Sequence, residues 1–246
     1  MIGYLCADLK RIAVRIPRWI VLLVLYGILV AILVFSHNEE TTSVVFITMV
    51  EQYIRVLTVF LGLVELISIY SDDFKARTMQ VAIGIGVSRR AVILCKFLEL
   101  LLYAFIDLAA FGLIALVVSL IQRIGLHSAQ IVEMFTMLFN VWVSIAGYIS
   151  FSMIVLFFMQ ATGIGTLLYL ALSTGTVSSL LSLLTGLDAV KRFHLDQYTL
   201  TSLLKASGTQ LLLGNIHWAA FLGVALYIAL GYNLTSALFR RRELEF

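Results

Sequence analysis

The chain has little charge, almost no proline and almost no cysteine. Of its 246 residues, 13% are charged and 61% are hydrophobic, against roughly 25% charged in an ordinary soluble domain. That scarcity excludes a water-solvated surface for most of the chain. The single proline, Pro17, excludes a Pro-rich linker, and the glycines are scattered. Residues 1–246 therefore read as one transmembrane domain. Cys6 and Cys95 are the only cysteines, too few for a metal site. Both fall on the side assigned below to the cytoplasm, where thiols stay reduced. Also missing are a Gly-x-x-x-x-Gly-Lys-Ser/Thr phosphate loop, a His-Glu-x-x-His pair and a Gly-x-Ser-x-Gly elbow. No catalytic residue, bound cofactor or metal is expected in this chain. Its net charge of +3 is spread without a basic tail or strip, so nucleic acid is not expected as a partner.

What is present is a series of long apolar runs, with a mean hydropathy of +1.04. A helix rising 1.5 Å per residue needs about 20 apolar residues to cross the hydrocarbon core. The runs predict an all-α membrane protein with six spans, at about 18–35, 54–70, 92–121, 134–159, 164–184 and 216–239. The third is long enough that it must tilt or project. Trp19 to Phe35 lacks a small-residue cleavage site and is followed by further spans, which argues against a cleavable leader.

Before the first span, Ile2, Leu5, Leu9, Ile12 and Ile16 recur at spacings of three and four, with Lys10, Arg11, Arg15 and Arg18 off that stripe. This pattern predicts a basic amphipathic helix over 1–17 lying in the membrane interface. The alternative, that it simply continues the first span, is opposed by Pro17, which suits the first turn of a new helix. Orientation follows from the basic residues. With both termini cytoplasmic, Lys10, Arg11, Arg15, Arg18, Lys75, Arg77, Arg89, Arg90, Lys96, Arg240, Arg241 and Arg242 lie inside. Arg55, Arg123, Lys191, Arg192 and Lys205 are left outside.

Two connections exceed what a turn needs. In the inner one, 71–90, Ser71 or Asp72 can cap a short helix over Asp72 to Ile83, Gly84 and Gly86 can end it, and Ser88 can cap the next span. The segment reads either as a charged loop that fixes topology or as a coupling helix, a stiff lever taking force from a soluble motor. In the outer one, 185–215, Leu187, Val190, Phe193, Leu195, Leu200, Leu203, Leu204 and Leu211 to Leu213 are too apolar for a solvated loop. Two short half-inserted helices account for them, with a surface cap as the alternative.

Glu65, Glu99 and Asp107 lie in or near spans, where a charge costs roughly 2.5 to 3.5 kcal/mol. Glu99 can pair with Lys96 at a spacing of three. Glu65 and Asp107 have no local partner, which points to a polar cavity, a subunit interface or a structural hydrogen bond.

The order of parts resembles the type-2 permeases of ABC transporters, the membrane halves of many bacterial exporters: interfacial helix, two spans, short inner helix, three spans, long outer connection, last span. Locally the resemblance rests on Asp72, Asp73 and Thr78, followed by Gly86-Val87-Ser88-Arg89-Arg90 and Lys96. Where family members often carry a Gly-Thr pair, this chain has Arg77-Thr78. The resemblance implies a permease in the bacterial cytoplasmic membrane with no ATPase activity of its own. It would pair with a second permease subunit, identical or homologous, and with two copies of a separate ABC ATPase that binds ATP and Mg. Asp72, Asp73, Phe74, Lys75, Arg77, Thr78 and Gln80 would then contact the ATPase, and re-entrant helices between spans five and six would close the outer path. The implied cargo is amphipathic, a bacteriocin-like peptide for export or immunity, or a lipid-like molecule. Two other classes stay open. One is an ion-coupled secondary transporter or channel using Glu65, Glu99 and Asp107, and the other a non-transporting membrane scaffold or sensor subunit.

Overall fold

The computed structural model describes residues 2–36, 42–75, 78–185 and 195–241, and every element among them is helical. The elements are α1 (Ile2–Ala13), α2 (Ile16–Phe35), α3 (Ser43–Lys75), α4 (Thr78–Gly84), α5 (Arg89–Ile121), α6 (Ser128–Met159), α7 (Thr162–Ser173) and α8 (Thr176–Thr185). A 3-10 turn (Leu195–Tyr198), α9 (Leu200–Leu212) and α10 (Trp218–Arg241) follow. Five of these, α2, α3, α5, α6 and α10, are long and apolar enough to cross a membrane, and the bent pair α7–α8 makes up to six. The chain is thus a multi-pass membrane protein.

The first break falls where proline suggests it: α1 ends at Ala13, and Pro17 stands in the first turn of α2. Several boundaries differ from the hydropathy reading. The second long helix begins at Ser43 rather than near Ile54, because Glu51 and Arg55 sit on an exposed face of the helix and pair with each other at 2.7 Å, prolonging it beyond the apolar run. The fourth begins at Ser128, where Gln130 turns back to accept the His127 amide at 2.9 Å. Helix α3 does not stop at Tyr70. It runs through Ser71 to Lys75, so Ser71 and Asp72 lie inside a helix instead of capping a new one. Nothing in the Ser-Asp-Asp run breaks a helix, and the short inner helix is α4, three residues later. Gly86, with φ of 97°, supplies the left-handed residue that ends this stretch, and the Ser88 side chain accepts the Ala91 amide to start α5.

The expected fifth span is broken. Gly175 has φ of 79°, and α7 and α8 meet at a 64° bend. Within 185–215, the described residues hold a single 3-10 turn and the thirteen-residue α9, capped by Thr199. Leu187, Val190 and Phe193 lie outside the described residues.

Contacts define the two ends of the bundle. At one end the Arg15 guanidinium donates to the Ser68 carbonyl and, at 3.0 Å, to the Ser71 hydroxyl, joining the start of α2 to the end of α3. At the same end Arg89 donates to the Phe239 carbonyl at 2.9 Å, joining the start of α5 to the end of α10. At the opposite end Gln122 donates to the Leu33 carbonyl at 2.9 Å and Gln130 to the Ser43 hydroxyl at 3.1 Å. Helices α6 and α10 run in the same direction, with Ser150 beside Gly231 and Phe157 against Phe239. Helix α9 runs against α6, its Leu200 beside Gly147 and its Gly208 beside Asn140. The most enclosed helix is α6, with 72% of its apolar window buried, against 28% for α2 and 22% for α10. The outer two leave most of their apolar surface uncovered by the rest of the chain.

Candidate functional site

The charged side chains inside the bundle gather at the end that carries α1. Arg18, in the first turn of α2, is 2% exposed and bridges two helices. Its Nε reaches Glu65 Oε1 on α3 at 2.9 Å, and its Nη2 reaches Asp107 Oδ2 on α5 at 2.5 Å. The guanidinium also lies over the Tyr103 ring at 4.4 Å, while the Tyr103 hydroxyl donates to the Leu9 carbonyl of α1 at 2.5 Å. One planar fork therefore ties α2, α3 and α5 together and reaches α1 through Tyr103. Arg18 accordingly belongs to α2 and is buried in the bundle, apart from the other three basic residues. Lys10 and Arg11 are exposed and Arg15 is half-buried, but Arg18 turns inward because Glu65 and Asp107 are there to meet it. Glu65 Oε2 has no hydrogen-bond partner among the described residues.

A second cluster lies beside the first. Lys96 of α5 is fully buried and pairs with Asp8 of α1 and, at 3.4 Å, with Glu99. The spacing-three pair read from sequence is present, but Asp8 is the closer partner of Lys96, and Arg11 reaches Asp8 at 2.7 Å. Burial pushes the Asp8 carboxyl up, and the Lys96 charge and hydrogen bond, with the Arg11 charge, more than offset it, so its pKa lies below the usual carboxylate value. Helix α1 is thus pinned by an ion pair as well as by Ile12, which is 1% exposed.

Helix α4 sits at the same end, packed against α3 and α5. Met79 and Ala82 face the bundle at 4% exposure each, while Val81 is 63% exposed and Ile85, just beyond the helix, 78%. An apolar pair is therefore presented outward from a helix held at both ends. Of the seven residues expected to contact an ATPase, the side chains of Asp72, Asp73, Phe74, Lys75, Arg77, Thr78 and Gln80 all lie outside the described set.

Toward the other end, α8 and the start of α9 border a polar cavity of about 250 Å3, lined by Ser178, Ser179, Ser182, Thr199, Thr201, Ser202 and Lys205. Its hydroxyls are largely turned to backbone carbonyls: Ser178 Oγ donates to Gly175 at 2.7 Å and Ser182 Oγ to Ser179 at 2.7 Å.

Sequence reasoning found the three buried carboxylates but missed the cation that joins two of them, Glu65 and Asp107. Arg18 sits one residue past Pro17 and was counted with the interfacial cations. Its distinguishing signal is that it alone of the four basic residues falls beyond the proline, in the first turn of a span. Asp8 was missed because a single acidic residue on a basic amphipathic helix looks solvated. No group of three or more His, Cys, Asp or Glu side chains among the described residues could hold a metal ion. Comparison with family models, with curated proteins and with solved structures finds no match for this chain.

Proposed function

We propose that this chain is the transmembrane permease subunit of an ATP-driven exporter of the bacterial cytoplasmic membrane, ATP being hydrolysed by a separate subunit. The observation that carries the reading is α4: a seven-residue helix between two 33-residue helices, its Met79 and Ala82 seated on the bundle and its Val81 and neighbouring Ile85 turned out. A partner seated on Val81 and Ile85 would push on α3 and α5 together. Those two helices are joined by the Arg18 fork, so the displacement would pass on to α2 and, through Asp8 and Lys96, to α1.

The topology fits this reading. Helix α6 ends, and α10 ends, at the end of the bundle that carries α1, so the chain between them has to return to the opposite end. The bent pair α7–α8 makes that crossing, giving six spans with both termini on the cytoplasmic side and α1 in the interface. Helix α9, antiparallel to α6 and starting at the depth of Gly147, acts as a re-entrant helix near the outer mouth. The working transporter holds two ATPase subunits and a second permease subunit, and its cargo is amphipathic, a peptide or a lipid-like molecule. The hydroxyl-lined cavity beneath α8 and α9 suits the polar part of such a cargo. An ion-coupled mechanism would need Glu65, Glu99 and Asp107 as ion ligands, but each of these carboxylates already faces Arg18 or Lys96, which favours a structural role.

The test is co-purification from native membranes in mild detergent, followed by reconstitution of whatever complex is obtained. The expected result is an ATP-hydrolysing subunit in stable ratio with this chain, and ATP-dependent movement of an amphipathic peptide or lipid across the vesicle. Purification of the chain alone, with movement driven by an ion gradient, would overturn the proposal.

A further inference from the structure

At the junction of α2, α3 and α5, two acids share one base. Arg18 is 2% exposed, Glu65 0% and Asp107 4%, and the guanidinium meets the two carboxyls at 2.9 Å and 2.5 Å. With every group ionised, one positive and two negative charges would leave a negative charge unbalanced and shut away from water. Such a charge is strongly unfavourable in a buried site.

The groups around the junction do not supply the balance. The charged neighbours acting on Glu65 are Arg18 and Asp107, and those acting on Asp107 are Arg18 and Glu65. From α2, Arg15 is turned to the Ser68 carbonyl and the Ser71 hydroxyl, and the Tyr26 hydroxyl donates to the Asp107 carbonyl at 3.2 Å. From α5, Tyr103 lies under the guanidinium. Lys96 stands about 16 Å along α5 from Asp107 at 1.5 Å per residue, and it meets Asp8 of α1 and Glu99. From α7, Tyr169 donates to the Thr58 carbonyl of α3, with Tyr148 of α6 set edge-on against it.

Glu65 and Asp107 are within hydrogen-bonding reach of each other, yet Glu65 Oε2 has no hydrogen-bond partner among the described residues. Two ionised carboxylates are both acceptors, so neither can donate to the other. One added proton turns that contact into an O–H···O bond and cancels the excess charge. The adjoining groove of about 250 Å3 between α2 and α3 is lined by Arg18 and by neither carboxylate. A metal cation in that groove would meet the guanidinium first, whereas a proton needs no such space.

We propose that this junction is a binding site for one proton, shared between Glu65 and Asp107. Opening the junction to water lets the second carboxyl ionise and passes the proton to water, so separation of α2 from α3 is linked to proton release. The inference goes beyond the exporter reading and does not depend on it.

The test is infrared spectroscopy of the full chain in phosphatidylcholine nanodiscs at neutral pH, following the carbonyl stretch that a protonated carboxyl has and a carboxylate lacks. Wild-type protein should show this band, shifted in heavy water. Both E65Q and D107N should lose it, because the remaining carboxylate then pairs with Arg18 one to one. Each single variant should keep the wild-type folded yield, while E65Q/D107N, which leaves Arg18 unpaired, should lose most of it. The variant E99Q, which removes the other buried glutamate, should retain the band. A wild-type spectrum without the band, or a band that E99Q abolishes, would overturn the site. A band lost in E65Q but kept in D107N would place the proton on Glu65 alone and overturn the sharing.

Discussion

The two sides of this bundle are held together by different means. On the α2, α3 and α5 side buried ion pairs cross between helices: Arg18 to Glu65 and Asp107, and Lys96 to Asp8 of α1. On the α6, α7 and α10 side they rest on small residues and hydroxyls. Gly231 lets α10 approach the Ser150 carbonyl so closely that a Cβ there would stand 2.8 Å from it, and Gly165 admits Leu156. Thr235 and Ser152, both buried, donate to carbonyls of their own helices at 2.8 Å and 2.9 Å. Lipid tails compete with leucine on equal terms, so helices in a bilayer associate through close backbone approach or through polar contacts. This protein uses both, with the buried ion pairs confined, among the described residues, to the α1, α2, α3 and α5 side. The ionic side is directional and fixes the relative rotation of three helices. The small-residue side brings α6 and α10 into close backbone contact, with Phe157 set edge-on against Phe239.

Breaking the ionic side should cost most. Arg18→Ala leaves Glu65 and Asp107 buried without a counter-charge, and loss of one partner of a buried ion pair costs about 3–5 kcal/mol. Fluorescence-detected gel filtration in detergent should show loss of most folded protein. The triple change R18M/E65Q/D107N should recover much of it, since no charge is then left unpaired. On the other side, Gly231→Leu should cost about 1–3 kcal/mol through overpacking against backbone that cannot retreat, read as a lower thermal midpoint with the ion clusters intact. The smallest effect is expected for Asp8→Asn, roughly 1 kcal/mol, and it should show as faster proteolysis near Ala13 rather than as global unfolding. Its pH signature has a defined sign. Because the folded Asp8 carboxyl is held below its usual value, its contribution is present above the unfolded pKa and is lost as pH falls through the lowered folded one. The wild-type anchor of α1 should therefore loosen in acid, and D8N should lack that dependence.

The long helices were legible in the sequence because hydropathy and proline act locally. Pro17, Ser88 and Gly86 each do in the structure what their chemistry allows anywhere. The boundaries at Ser43 and Ser128 were not legible, because charged residues such as Glu51 and Arg55 end an apolar run without ending a helix. The burial pattern within spans was equally hidden. In α2 every position from Ile20 to Leu25 is apolar, and only the fold tells that Leu22, Leu25, Leu29 and Leu33 face inward while Leu23 and Val24 face out. At the candidate site, Glu65, Glu99 and Asp107 stood out because a charge in an apolar run is conspicuous. Arg18, which meets Glu65 and Asp107, and Asp8, which meets Lys96, did not, because both lie at the edge of the apolar pattern and pair across 47 or more residues.

The most direct measurement replaces Val81 with a photo-reactive benzoylphenylalanine in the native membrane. Val81 is exposed, so the probe leaves the packing of α4 on α3 and α5 undisturbed. On irradiation the account predicts a crosslink to a soluble ATP-hydrolysing subunit, with a yield that changes when that subunit binds nucleotide. Crosslinks to lipid alone, with the same outcome at Ile85, would contradict it.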